Sequence, residues 1–285
     1  MNSPKNVILS RKGFDSAFGG FPSPILPGGK MLSLPIPSKD SMRYSDLKAT
    51  NGSNYSDLMK QLSSTIIYNK ERLIIDNETK CHLDPDLNPT IINRLPGWRH
   101  CFGSAGPEQS HLKNQGVCEG DLFLFFGWFR KTICENDHLK FDHSEGNLHV
   151  IYGYFQIDEI LEINERTVIP PWLDYHPHVA DRSLRANPNT IYIARKNLSL
   201  DKSLPGAGLF NFREDLVLTK PGLSRSRWKL PSFFKKVPIT YHKMDSWKKE
   251  GYFQSAMRGQ EFVIKNNEEI EEWAKNLISG MQLQC

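Results

Sequence analysis

The stretch "DLFLFFGWF" (121–129) limits what this chain can become more than any other. Beyond Asp121 it carries no charge, and aromatic side chains dominate it. It is too short to span a bilayer and has the residue types of a central strand. "HVIYGYFQI" (149–157) follows across the polar "ENDHLKFDHSEGN", so the two are expected to pair as a hairpin. Further strand candidates are "NVIL" (6–9), "TIYIA" (190–194), "DLVLT" (215–219), "VPITYH" (237–242) and "EFVIK" (261–265).

Helices are few. "NYSDLMKQLSS" places Tyr55, Leu58, Met59 and Leu62 on one face. In "NNEEIEEWAKNLISGM", Asn266 or Asn267 can cap, Glu268 and Glu269 suit the positive end of the dipole, and Ile270, Trp273, Ala274, Leu277, Ile278 and Met281 form a core stripe. The stretches 17–46 and 84–116 look like long loops, rich in Gly, Pro and Ser, and such loops are often functional. No repeat or linker divides the chain. Residues 1–285 are therefore expected to form a single α+β domain: a mixed, mainly antiparallel sheet, few helices, and the C-terminal helix packed on the sheet.

The net charge of +4 permits a polyanionic partner without demanding one. The start, "MNSPKNVILSRKG", lacks the apolar core of a signal peptide, and no segment is long enough for a membrane span, which suggests a cytoplasmic protein. Five cysteines (Cys81, Cys101, Cys118, Cys134, Cys285) without a CxxC pair fit reduced thiols better than a disulfide framework.

Five stretches carry candidate chemistry. In "ILSRKGFDSAFGGFPSPILPGG" (8–29), Arg11 and Lys12 offer charge-assisted donors to an anion, Asp15 is a candidate base, and Gly13, Gly19 and Gly20 allow close backbone approach. In "CHLDPDLNP" (81–89), Asp84 and Asp86 flank Pro85, and paired carboxylates can bind a metal or do acid/base work, although Asp-Pro is also an ordinary turn signal. The loop "GSAGPEQSHLKNQGVCEGD" (103–121) brings Gln109, Ser110, His111, Asn114 and Gln115, which can read the edge of a base or simply be solvated. "TKPGLSRSRWKLPSFFKK" (219–236) holds Lys220, Arg225, Arg227, Lys229, Lys235 and Lys236, no acid, and interleaved Trp228, Phe233 and Phe234, which suits phosphate contacts and base stacking. "RGQEFVIK" (258–265) places Glu261 on a strand just before the last helix.

His176 and His178 share one face of "HPH", and Cys81, His82, His100 and Cys101 form thiol and imidazole pairs, but none has the spacing of a zinc finger or ribbon. There is no Walker A sequence and no GxGxxG after a strand. Neither a metal nor an organic cofactor is expected.

Taken together, "ILSRKGFDSAFGGFPSPILPGG", "LSLPIP", "HLDPDL", "QSHLKNQGVCEGDLFLFFGWF", "HVIYGYFQI", "PGAGLF" with "LVLTKPG", "RSRWKLP" and "RGQEFV" resemble the nucleotide-modification-associated domain of the third type, over about residues 6–278. That resemblance implies a setting of modified bases in the DNA of phages and bacterial conflict systems, and it fixes no reaction. "RGQEFVIK…WAKNLI" is also similar, over a short span, to the C-terminal Glu-bearing strand of DNA ADP-ribosyltransferase toxins.

Three functions follow as expectations. The first is a DNA glycosylase that flips a modified base, such as a sugar-modified cytosine of phage DNA, and cleaves its N-glycosidic bond. The departing sugar becomes cationic, so a carboxylate must stabilise it or activate water. Asp15 and Glu261 are the candidate carboxylates, with Arg11, Lys12 and His111 beside them. The second is an ADP-ribosyltransferase, with Arg11 on the pyrophosphate of NAD and Glu261 as its catalytic residue. The third is a reader without catalysis, a small β-barrel of the PUA type. The partner in the first and third is DNA with modified bases.

Overall fold

A computed structural model describes residues 3–50, 52–181, 183–184 and 187–280. Met281 of the expected helical stripe and Cys285 lie outside the described residues. In chain order the strands are β1 (Asn6–Arg11), β2 (Ser23–Ile25), β3 (Thr65–Tyr68), β4 (Glu71–Ile74), β5 (Cys101–Ala105), β6 (Leu122–Glu135), β7 (His138–Phe141), β8 (Leu148–Glu162), β9 (Asn189–Ala194), β10 (Ala207–Leu209), β11 (Arg227–Trp228), β12 (Phe253–Gln254) and β13 (Glu261–Lys265). The α-helices are α1 (Tyr55–Leu62), α2 (Gly106–Asn114), α3 (Pro177–Ala180) and α4 (Glu268–Ser279). The fold is α+β, as the sequence suggests.

The large sheet has the order β13-β1-β6-β8-β9-β5, with β2 and β7 joining β6 and β10 joining β8. β6 is central because Leu122 to Phe126 are fully buried. It pairs parallel with β1 and β2 and antiparallel with β8 and β7. The expected 121–157 hairpin exists, with an addition. Asn136 and Asp137 take positive φ (50° and 62°) and turn the chain into β7 before β8 begins, as a two-residue hairpin turn requires.

The sheet curls. Phe102 of β5 packs against Phe123 and Phe125 of β6, with centroids 5.1 and 5.3 Å apart, although three ladder steps separate these strands. The ladder does not close from β5 back to β13 among the described residues, so the small barrel expected of a PUA-type reader is not formed.

α1 is capped by Asn54 and buries Tyr55, Leu58 and Met59. α4 is capped by Asn267, whose side chain accepts the N–H of Ile270, and packs Ile270, Ala274, Leu277 and Ile278 into the main core beside β1. Two strand expectations fail. Residues 214–216 form a single 3-10 turn, and Val217 makes only an isolated bridge to Val150. Ile239 likewise bridges only Ile264. Both segments bury alternate apolar side chains and touch a strand through single bridges without forming a ladder. No helix among the described residues is long and apolar enough to cross a membrane. Cys81, Cys101, Cys118 and Cys134 are free thiols.

Candidate active site

β1 delivers the unusual turn at its C-terminal end. Val7, Ile8 and Leu9 are fully buried, and the chain then emerges at Arg11 and Lys12. Gly13 has φ +82°, and a Cβ there would lie 2.8 Å from Ser33 Oγ. Gly19 has φ +90°, and its Cβ would strike the Phe14 ring at 2.1 Å. Only glycine lets the backbone fold back this tightly. Asp15 Oδ1 accepts the N–H groups of Ala17 and Phe18, both at 2.7 Å. This Asx-type turn fixes one oxygen and leaves the other without a hydrogen bond to the described residues.

Arg11 and Asp15 line two adjoining clefts. The first, about 330 Å³, is also lined by Lys12, His82, Asp84, Glu108 and His178. The second, about 620 Å³, adds Trp128, His149 and Arg225. Arg11 donates from Nη2 to Met257 O (3.0 Å) and Gly259 O (2.8 Å). Burial lowers its pKa, against the opposing pull of Asp15, Glu108 and Glu261. Arg225 donates to Ser16 Oγ at 2.7 Å and lies 3.9 Å from the Trp128 ring centroid, so it joins the wall of the second cleft to the Asp15 turn.

Glu261 has a different position. It is fully buried, its Oε1 lies 2.7 Å from Lys12 Nζ, and its Oε2 has no partner among the described residues. Glu261 lines neither cleft. Lys12, which also sits 4.6 Å from the Phe102 centroid, stands in the first one.

The two aspartates of "HLDPD" diverge. Asp86 is fully buried and takes both Arg94 Nη groups at 2.6 Å, with the Tyr175 hydroxyl beside it, which is a structural ion pair. Asp84 turns to the cleft. Its Oδ1 accepts Gly103 N–H at 2.6 Å and lies 3.3 Å from His176 Nε2. Burial alone would raise its pKa, but the adjacent His176 and the charges of His178, His176 and His82 outweigh it and hold the carboxyl at about 2. Burial lowers His178 to about 4, so its imidazole is neutral at pH 7. Donor atoms of His82, Asp84 and His178 lie within 4.8 Å of one another. Sequence spacing shows no such ligand set, because His178 comes from α3, far along the chain.

The stretch 103–121, expected as a base-reading loop, is instead the end of β5 followed by α2. Gln109 is buried and accepts the Tyr192 hydroxyl at 2.9 Å. Ser110 donates to Gly106 O at 3.0 Å. His111 Nε2 lies 3.2 Å from Thr240 Oγ1. Asn114 is exposed in the last turn, and the Gln115 carbonyl accepts Lys265 Nζ at 3.0 Å. None of these residues lines either cleft. Gly103, Ser104, Ala105 and Glu108 do, and the buried Ser104 Oγ and Glu108 Oε2 have no partner among the described residues. Sequence reasoning missed Glu108, although Pro107 at the start of α2 and an acid in its first turn were available signals.

The profile of the nucleotide modification associated domain 3 family matches residues 6–265. The chain belongs to this family. The match runs from β1 to β13 and includes every lining residue of both clefts. No curated protein and no solved structure matches the chain.

In this family member the basic segment 219–236 divides by burial. Arg225 lines the second cleft. Arg227, Lys229 and Lys235 are exposed, Arg227 lying over Tyr252 and Lys235 over Trp247. Lys220 is tied to the carbonyls of Glu250 and Gly251 at 3.2 and 2.8 Å, and Lys236 pairs with Glu269. Trp228 and Phe234 are core residues, 1% and 0% exposed, and have no face free for a base. Trp228 Nε1 donates to His149 Nδ1 at 3.0 Å. The alternation is that of a strand: cations at 227 and 229 outward, Trp228 and Leu230 inward.

Proposed function

We propose that the chain is a hydrolase that releases a modified base from DNA. The observation that supports this best is the first cleft, lined by Arg11, Lys12 and the carboxyl groups of Asp15 and Glu108, where Glu108 Oε2 and Ser104 Oγ are buried without partners among the described residues. Unpaired buried polar atoms are costly unless a ligand or water satisfies them. A volume of about 330 Å³ is in the range of small-ligand sites. Membership of a nucleotide-modification family supports a nucleotide as that ligand.

In the proposed reaction one water adds to C1′ of the flipped nucleotide. The C1′–N bond breaks, its electron pair leaves with the base, and the base gains a proton, leaving an abasic sugar. Asp15 stabilises the cationic sugar or accepts the water's proton. Glu108 supplies the proton to the departing base through its unpaired oxygen. Arg11 and Arg225 hold the flanking phosphates. A sugar-modified cytosine of phage DNA is the proposed substrate, in anti-phage defence.

The transferase reading has less support, because Glu261 is buried against Lys12 and lines neither cleft. One assay separates the two. The protein is incubated with DNA bearing sugar-modified cytosine, with and without NAD, and the products are weighed by mass spectrometry. Free modified base without NAD consumption is expected. NAD consumption with ADP-ribosylated DNA would replace the hydrolase by the transferase.

A further inference from the structure

The first cleft is also lined by three residues that the proposed acid/base scheme leaves unused: His82, Asp84 and His178. Each is held by a partner on the side away from its free donor. His82 Nδ1 lies 2.6 Å from Asp40 Oδ2, so the carboxylate fixes Nδ1 as the protonated nitrogen. His178 Nδ1 lies 2.8 Å from Asn189 Oδ1, and Asn189 Nδ2 donates to His178 O at 2.7 Å, which fixes the amide's direction and hence the ring's tautomer. Asp84 Oδ1 accepts from Gly103 N–H, with His176 Nε2 beside it.

These three bonds leave Nε2 of both imidazoles and Oδ2 of Asp84 without hydrogen bonds to the described residues. Gly103 is part of the arrangement. A Cβ there would lie 2.3 Å from His178 Cδ2 and 2.8 Å from its Nε2, so only glycine admits the ring beside Asp84. Hydrogen-bonded outer partners on every donor are the supporting shell that metal ligands carry. Ordinary core histidines do not need a common focus with an aspartate.

We infer that His82, Asp84 and His178 bind one divalent transition-metal cation, with its remaining coordination positions open to the cleft. Two imidazole nitrogens and one carboxylate oxygen suit a first-row transition ion better than Mg²⁺ or Ca²⁺, which prefer all-oxygen sets. Three protein ligands with an open position are the donor count of a catalytic rather than a structural site. The binding stands by itself. The use of the ion as a source of activated water rests on the hydrolytic reading above.

The test uses the full chain without an affinity tag, stripped with a chelator and titrated with Co²⁺. Visible absorption reports a nitrogen/oxygen-bound ion, and equilibrium dialysis gives the stoichiometry. One Co²⁺ per chain is expected, displaced by Zn²⁺ and not by excess Mg²⁺. Asp84→Asn and His178→Ala should abolish saturable binding. Asp40→Asn, which leaves all three ligands in place, should weaken it roughly 10–100-fold. Circular dichroism establishes that each variant is folded. Absence of saturable binding in the wild type, unchanged affinity in the folded variants, or equal displacement by Mg²⁺ would overturn the site. Base release is assayed separately: Co²⁺ binding without base release rejects the hydrolase and keeps the metal site, and base release without binding does the reverse.

Discussion

Lys12 and Glu261 form a buried ion pair, with Nζ 2.7 Å from Oε1 and no exposure of the glutamate side chain. Removing one partner strands the other charge in the core. Lys12→Met should therefore lower unfolding stability by about 3–5 kcal/mol, and the double change Lys12→Met with Glu261→Leu should recover most of that loss. Urea denaturation of the three proteins measures it. A Lys12→Met protein of wild-type stability would show that the pair is not closed in solution.

Arg225 is the cation of segment 219–236 that stands in a cleft wall. Arg225→Ala should weaken DNA binding across sequences and reduce the salt slope by about one. Lys236→Ala should leave both unchanged, since Lys236 is paired with Glu269. Fluorescence anisotropy at several salt concentrations tests the pair of variants. Equal effects from the two would remove the special place given to Arg225.

Trp228 packs against Phe126 and Phe262 at centroid distances of 5.0 and 6.1 Å. Trp228→Ala should cost about 3–5 kcal/mol of stability. Whatever fraction stays folded should bind DNA with nearly wild-type affinity. A selective loss of DNA binding at wild-type stability would restore the stacking role that its neighbours in sequence suggest.

Burial, helped by the charges of Arg225 and Arg11, lowers His149 from 6.5 to about 3. The folded protein thus resists protonation there while the unfolded chain accepts a proton. The stability is fully present above pH 6.5 and is lost as pH falls toward 3. Between pH 7 and pH 5 this one group should remove about 2 kcal/mol. His149→Gln keeps an acceptor for the Trp228 N–H and should flatten that part of the profile. Denaturation midpoints at the two pH values, compared with the wild type, check it. An unchanged slope in the variant would show that His149 is not the group responsible.

Much of the fold is legible in the sequence where burial is one-sided or complete. β6 and β8 are long apolar runs, and α4 displays its cap and stripe openly. α2 was missed because "GPEQSHLKN" has one large apolar residue, Leu112, and its other buried side chain is the polar Gln109. The segment at 215–219 misleads because Leu216 and Leu218 alternate like a strand's residues and are buried, yet the chain pairs through single bridges.

The candidate site was half legible. Arg11, Lys12 and Asp15 stand at one turn because a strand, three glycines and a run of special residues are contiguous. His82, Asp84 and His178 meet because α3 packs on β5 and β9, a long-range contact that no local spacing records. Glu261 was chosen for its place before a helix. It proves to be the buried partner of Lys12, because Ser10 and Glu261 are directly paired between β1 and β13.

The most direct test of the proposed chemistry is single-turnover release of the modified base, measured for the wild type, Asp15→Asn and Glu108→Gln on the same DNA. Asp15→Asn keeps the Oδ1 acceptor for Ala17 and Phe18 and removes the charge. Glu108→Gln removes the proposed proton donor, whose Oε2 has no partner among the described residues. Each should slow release roughly 100-fold or more while DNA affinity persists, the range expected when a general acid or base is lost. Wild-type release by both folded variants would place the chemistry outside this cleft.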